Sequence, residues 1–175
     1  MQSAFWKNLI RFLFLILLQG MVLEHIDLPG HLHLMVIPLF ILLLPMQLPA
    51  VPLLLLSFLS GFCVDLLCQV PGLNAASATM MGFSRIVYFR MKNRREAVRD
   101  TDLAGTPLPS EMGWGGFIVY TLWTVGMFHI AYFMLDAFSL RHIFYTVYLM
   151  SGSALLCFLV VLFTVSVFRP HISTR

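Results

Sequence analysis

Charge is what this sequence holds least of. Only 11% of its 175 residues are Asp, Glu, Lys or Arg, 59% are hydrophobic, and the mean hydropathy is +0.88. A water-soluble domain needs a charged exterior, so lipid has to cover what these side chains leave uncovered. Cysteine is scarce as well. Cys63, Cys68 and Cys157 lie in apolar runs, and their odd number and lack of metal-ligand spacing argue against a disulfide framework or a zinc site. They read as small packing residues. A glycine-rich phosphate loop, an internal repeat and a low-complexity tract are all missing. So is any Ser/His/Asp set, carboxylate pair or metal-ligand cluster converging on one membrane face. An enzyme is therefore not expected, and neither is a cofactor. The net charge of +3 does not point to nucleic acid, because the basic residues gather at segment ends rather than on one face.

What the chain does have is apolar runs. A helix needs roughly 20 apolar residues to cross the hydrocarbon. Six such spans fit the length, approximately 6–23, 32–48, 51–67, 73–89, 116–135 and 143–168, in one polytopic membrane domain covering 1–175. The expected fold is an all-α integral membrane bundle of six transmembrane helices. Residues 24–27 offer no small-residue cleavage site, so the first run reads as a retained helix rather than a signal peptide. Pro38 should kink the second span. Pro45, Pro49 and Pro52 mark a tight connection, with Pro52 suited to the first turn of the third span. The fourth span is the least apolar and is rich in small residues. Asn74, Ala78 and Gly82 recur every four positions on one face, which lets backbones approach and places this span inside the bundle. The stretch 90–115 is the one long hydrophilic loop.

Orientation follows from Lys and Arg. With six spans and both termini cytoplasmic, ten basic residues collect inside: Lys7, Arg11, Arg85, Arg90, Lys92, Arg94, Arg95, Arg99, Arg169 and Arg175. Arg141 alone is outside. The basic loop residues Arg90, Lys92, Arg94, Arg95 and Arg99 thus read as a topology signal, which also attracts anionic headgroups. Trp6, Trp114, Tyr88 and Tyr145 fit interfacial anchors.

Asp65 is the most informative single residue. It lies late in the third span, roughly 20 Å from its inner start and in the outer third of the bilayer. A carboxylate at that depth either faces a structural or partner contact or lies close enough to the interface to be hydrated. A proton relay would need further intramembrane carboxylates. His129, the one histidine in the middle of a span, is expected to make a helix–helix hydrogen bond rather than bind metal. Asp136 and Arg141 are expected to be a solvated pair at the outer turn.

The segment Gly61-x-x-x-Asp65-Leu66-Leu67, followed by Gly72-Leu73-Asn74-Ala75-Ala76, resembles the most recognisable stretch of the bacterial rod shape-determining protein MreD family. His129-x-x-x-Phe133-x-Leu135-Asp136-Ala137-Phe138 is similar to that family's short-chain members. The chain departs from the family in three places. Family members often carry glycine where Gln69 stands, histidine in place of Asn74 and glutamate in place of Asp136. The resemblance implies a non-enzymatic inner-membrane component of the cell-elongation machinery. It implies a fold similar to the substrate-binding subunits of energy-coupling-factor transporters. The implied partners are a bitopic MreC-like protein, and with it MreB, RodA and a class B penicillin-binding protein. Gly61, Asp65, Gly72, Asn74, Ala78, Gly82, His129 and Asp136 are then the candidate structural or partner-contact residues. The alternative is a substrate-binding subunit of a vitamin-uptake transporter, in which Asp65, Asn74, His129 and Asp136 would line a polar outer pocket. A membrane-embedded transferase ranks last, because no second catalytic group accompanies Asp65 or His129.

Overall fold

The computed structural model describes residues 10, 12–23, 32–70, 72–96, 105–137 and 143–167. The described residues are helical with irregular connections and contain no strand. The elements are α1 (Phe12–Met21), α2 (Ile37–Leu42), α3 (Ala50–Cys68), α4 (Leu73–Glu96), α5 (Pro109–Ala137) and α6 (Ile143–Val167). Among the described residues, three helices are long and apolar enough to cross a bilayer: α3, α5 and α6. Their outer faces are apolar. Leu55, Phe58, Phe62 and Leu66 on α3 are exposed, as are Leu155, Leu159 and Phe163 on α6, with Phe163 70% exposed. This is the exterior of a helical membrane protein.

The helix α4 lies at the centre, packed against α2, α3 and α5, and its contact with α3 is the most extensive in the bundle. The sequence explains the closeness. Gly82 faces Ser57, where an added Cβ would lie 2.5 Å from the hydroxyl oxygen. Ala78 and Ser77 are fully buried. Small side chains let the two helix backbones meet where larger ones would hold them apart.

Three expected boundaries are corrected. The second apolar run is not one kinked helix. Residues 32–36 are irregular, ending with Val36 in the right-handed helical region, α2 has six residues, and 43–49 form turns and coil. Pro38 does not kink a helix. It stands in the first turn of α2, where a missing N–H costs nothing. Secondly, α4 continues to Glu96, so the backbone of 90–96 is helical rather than loop. Arg, Lys, Met and Glu are good helix formers, and cations suit a helix C-terminus. Loss of hydropathy marks where lipid contact ends, not where the helix ends. Thirdly, α5 begins at Pro109, with Glu111 in its first turn, and breaks from helical geometry at Gly113 (φ 73°, ψ 157°) before running on. Pro52 does stand in the first turn of α3.

Trp6, Lys7, Arg11, Arg99, Arg141, Arg169 and Arg175 lie outside the described residues, and Arg94 and Arg95 are described by backbone alone.

Candidate functional site

The described residues hold two buried polar clamps and a groove. The first clamp joins α3 to α4. Asp65 is 4% exposed. Its Oδ1 accepts the backbone N–H of Asn74 at 3.0 Å, and its Oδ2 accepts that of Ala75 at 2.8 Å. These are among the first N–H groups of α4, which have no partner within the helix. A carboxylate there meets two donors and the positive end of the helix dipole. The turn between the helices is equally specified. Gln69 closes α3 in the left-handed region (φ 55°, ψ 33°), where its N–H donates to the Asp65 carbonyl. Val70 N–H donates to the same carbonyl at 3.1 Å. Gly72 has φ +77° and is exposed with open space around it. Gly61 makes the close approach possible, since a Cβ there would stand 2.2 Å from the Asn74 carbonyl oxygen. The structure therefore brings Gly61, Asp65, Asn74, Ala78 and Gly82 into one intramolecular contact.

The second clamp holds the broken second segment. An irregular backbone leaves amides and carbonyls without partners of its own, and in apolar surroundings it persists only when enclosed by protein that supplies them. Side chains from four helices do so. Gln19 of α1 is buried; its Oε1 accepts Val36 N–H at 2.7 Å and its Nε2 donates to the Leu34 carbonyl at 3.3 Å. Ser153 of α6 accepts the N–H of His33 at 3.0 Å. At the other end, Arg85 of α4 donates to the carbonyls of Ile41 (2.5 Å), Leu44 and Pro45 (3.0 Å). The hydroxyl of Tyr120 on α5 donates to the carbonyl of Leu42 at 3.2 Å. A guanidinium and a phenol thus cap the C-terminal carbonyls of α2. The guanidinium also stacks over Phe89, 5.8 Å from the ring centre.

Arg85 is the residue that sequence reasoning missed. It is only 2% exposed, not one more inward-side surface charge. Removing it leaves nine basic residues against one in the orientation count, so the bias persists. Its signal was present in the sequence. It lies three positions after Gly82 and seven after Ala78, on the helix face that those small residues already mark.

His129 is fully buried, but its bond is to its own helix rather than to a neighbour. Nδ1 donates to the Val125 carbonyl at 2.9 Å, so the proton is on Nδ1 and Nε2 is left as an acceptor without a hydrogen bond among the described residues. The ring packs against Phe128 and Phe133. Asp136 is exposed near the end of α5. Cys157 is buried and Cys63 half-buried.

The groove lies between the last turns of α4 and the first half of α5. It has a volume of about 480 Å³ and is lined by Tyr88, Met91, Lys92, Met112, Gly116, Val119 and Trp123. The Tyr88 hydroxyl reaches the Gly116 carbonyl at 3.4 Å, and Trp123 Nε1 donates to the Ser84 carbonyl at 3.2 Å. Asn74 and Lys92 are 18 positions apart on α4, so the groove and the Asp65 clamp are separated by about 27 Å at 1.5 Å per residue.

The chain matches no family model, no curated protein and no solved structure.

Proposed function

We propose that this chain is a non-enzymatic scaffold of the MreD kind in the bacterial inner membrane. In this reading it crosses the bilayer six times with both termini cytoplasmic. It packs against the transmembrane helix of an MreC-like partner and so helps to position peptidoglycan synthesis alongside MreB, RodA and a class B penicillin-binding protein. One observation supports the reading above others. The residues that carry the resemblance are those that lock α3 to α4. Asp65 closes on the Asn74 and Ala75 amides, and Gly61 lies against the Asn74 carbonyl. A signature given over to holding two helices rigidly is what a scaffold needs, because a partner helix requires a fixed surface more than a reactive group.

The small-residue face of α4 is turned towards α3, so the partner would meet an outer face instead. The exposed stripe of α3 is the natural candidate. There Phe58 and Phe62 stack 5.7 Å apart beside Leu55, Leu59 and Leu66.

The experiment is co-purification in detergent with a single-span, coiled-coil partner encoded beside this chain, combined with depletion in the cell. The expected result is recovery of the partner with the wild type, reduced recovery with Phe62→Ala at unchanged thermal stability, and rounded cells on depletion. No partner recovered and no change of cell shape on depletion would overturn the proposal. A tight vitamin complex in a binding screen would replace it with the transport reading.

A further inference from the structure

We propose that residues 105–112 form a hinged strap across one end of the bundle, latched to the broken second segment through the single peptide unit Pro45–Met46, and that Arg85 sets how tightly the latch holds. The strap is a closure built into this chain, so it stands or falls independently of any partner helix.

The latch is one peptide plane gripped from both sides. Its carbonyl, that of Pro45, accepts a hydrogen bond from the Arg85 guanidinium at 3.0 Å. Its N–H, that of Met46, donates to the Gly105 carbonyl at 2.8 Å. In a trans peptide these two groups point to opposite sides, so α4 holds one edge of the plane and the strap holds the other. The two bonds reinforce each other. A cation at the carbonyl polarises the peptide and makes its N–H a stronger donor to Gly105. Arg85 thus acts on a strap to which it makes no hydrogen bond itself.

The strap is stiff between two pivots. The Leu108 carbonyl accepts the amides of Glu111 and Met112, both at 3.0 Å, which closes 108–112 into one helical turn. A glycine at positive φ stands at either end, Gly105 at 118° and Gly113 at 73°. A Cβ built on either meets nothing within 4 Å among the described residues, so the backbone conformation alone asks for glycine there. Gly113 also interrupts α5. Were α5 straight, the turn at 109–112 would follow its axis and carry Gly105 away from Met46. Burial favours the closed position: Pro107 is buried, and the half-buried Leu108 packs against the core. The segment therefore has two arrangements, bent and latched or straight and released. One backbone hydrogen bond, two side chains and two glycine torsions decide between them, which is the make-up of a unit that opens while the rest of the bundle stays folded. The chain enters the strap from the connection that follows α4, so whatever binds or pulls on that connection reaches the second segment through Gly105.

The test combines hydrogen–deuterium exchange with hydroxyl-radical footprinting of the full-length protein in lipid nanodiscs. The Met46 amide reports the latch, the Pro107 and Leu108 side chains report burial of the strap, and the amides of α3 report global unfolding. In the wild type, Met46 is expected to exchange faster than the middle of α3. Gly113→Ala favours the straight helix and should raise Met46 exchange about tenfold, the factor expected from a non-glycine residue forced into that conformation and from the better helix propensity of alanine. Labelling of Leu108 should rise with it while α3 stays protected. Arg85→Gln should raise both signals in the same way. Gly105→Ala takes the place of Gly113→Ala if the α3 amides of that variant show a lost fold, and Arg85→Lys likewise takes the place of Arg85→Gln. A wild-type Met46 amide as protected as the middle of α3 would overturn the proposal, because the latch would then open only with the whole bundle. So would a folded glycine variant in which Met46 exchange and Leu108 labelling do not rise together. Unchanged Leu108 labelling in a folded Arg85 variant would equally overturn it, since the guanidinium would then have no hold on the strap.

Discussion

The Asp65 clamp can be removed almost without changing its shape. In Asp65→Asn, the side-chain carbonyl still accepts one of the two α4 amides. Its NH2 group then faces the other, so a donor meets a donor. Two charge-assisted hydrogen bonds, at 3.0 and 2.8 Å, become one neutral bond and one buried N–H without an acceptor. A hydrogen bond to a charged group contributes about 1.5–3 kcal/mol, and an unmet buried donor costs about 1–3 kcal/mol. The lost favourable interaction with the helix dipole adds about 0.3–1 kcal/mol. The carboxylate's own desolvation opposes these terms, so we expect a net loss of about 2–4 kcal/mol. At about 2–4 °C per kcal/mol for a chain of this size, the midpoint should fall by roughly 5–15 °C. The assay is the thermal loss of monodispersity in detergent, followed by size exclusion on intrinsic tryptophan fluorescence. Asp65→Ala should fall at least as far as Asp65→Asn. An Asp65→Asn protein that melts within about 2 °C of the wild type, inside the shift expected of an ordinary surface change, would refute the clamp. If that same protein also failed to recover a partner, Asp65 would be a partner contact.

Three further outcomes follow from the same geometry. Gly61→Ala places a Cβ 2.2 Å from the Asn74 carbonyl oxygen, so α3 and α4 must separate; the overpacking loss is about 1–3 kcal/mol by the same melt. Arg85→Lys keeps the charge but replaces a planar fork spanning three carbonyls by a single ammonium; we expect a loss of about 1–3 kcal/mol and faster proteolysis within 43–49. Unchanged cleavage there would show that the guanidinium is not what holds that segment. Gln69→Gly relieves a left-handed non-glycine residue (φ 55°). It should leave stability unchanged or raise it by up to about 1 kcal/mol, whereas Gln69→Val should lower it.

The backbone constraint at position 69 is independent of the side chain that stands there. Any residue that closes α3 there must adopt positive φ, and glycine does so with least strain. The carboxamide at this position is exposed and asks only for that backbone conformation. Asn74 likewise contributes its main-chain N–H to the clamp, and a different side chain leaves that donor in place.

The sequence alone determined the solvent and the approximate course of the chain. Apolar runs of span length and a scarcity of charge require lipid around the exterior, and Pro52 marks the first turn of α3. The small residues of α4 are by themselves enough to predict a close helix contact. Only the tertiary structure decided what the polar residues inside those runs do. Hydropathy sums over neighbours in sequence, whereas Gln19, Arg85, Tyr120 and Ser153 act on backbone groups between 15 and 120 positions away. A broken, irregular segment cannot exist in lipid by itself. Its existence depends on side chains from four other helices arriving at its unpaired amides and carbonyls, and that arrangement is a property of the packed bundle.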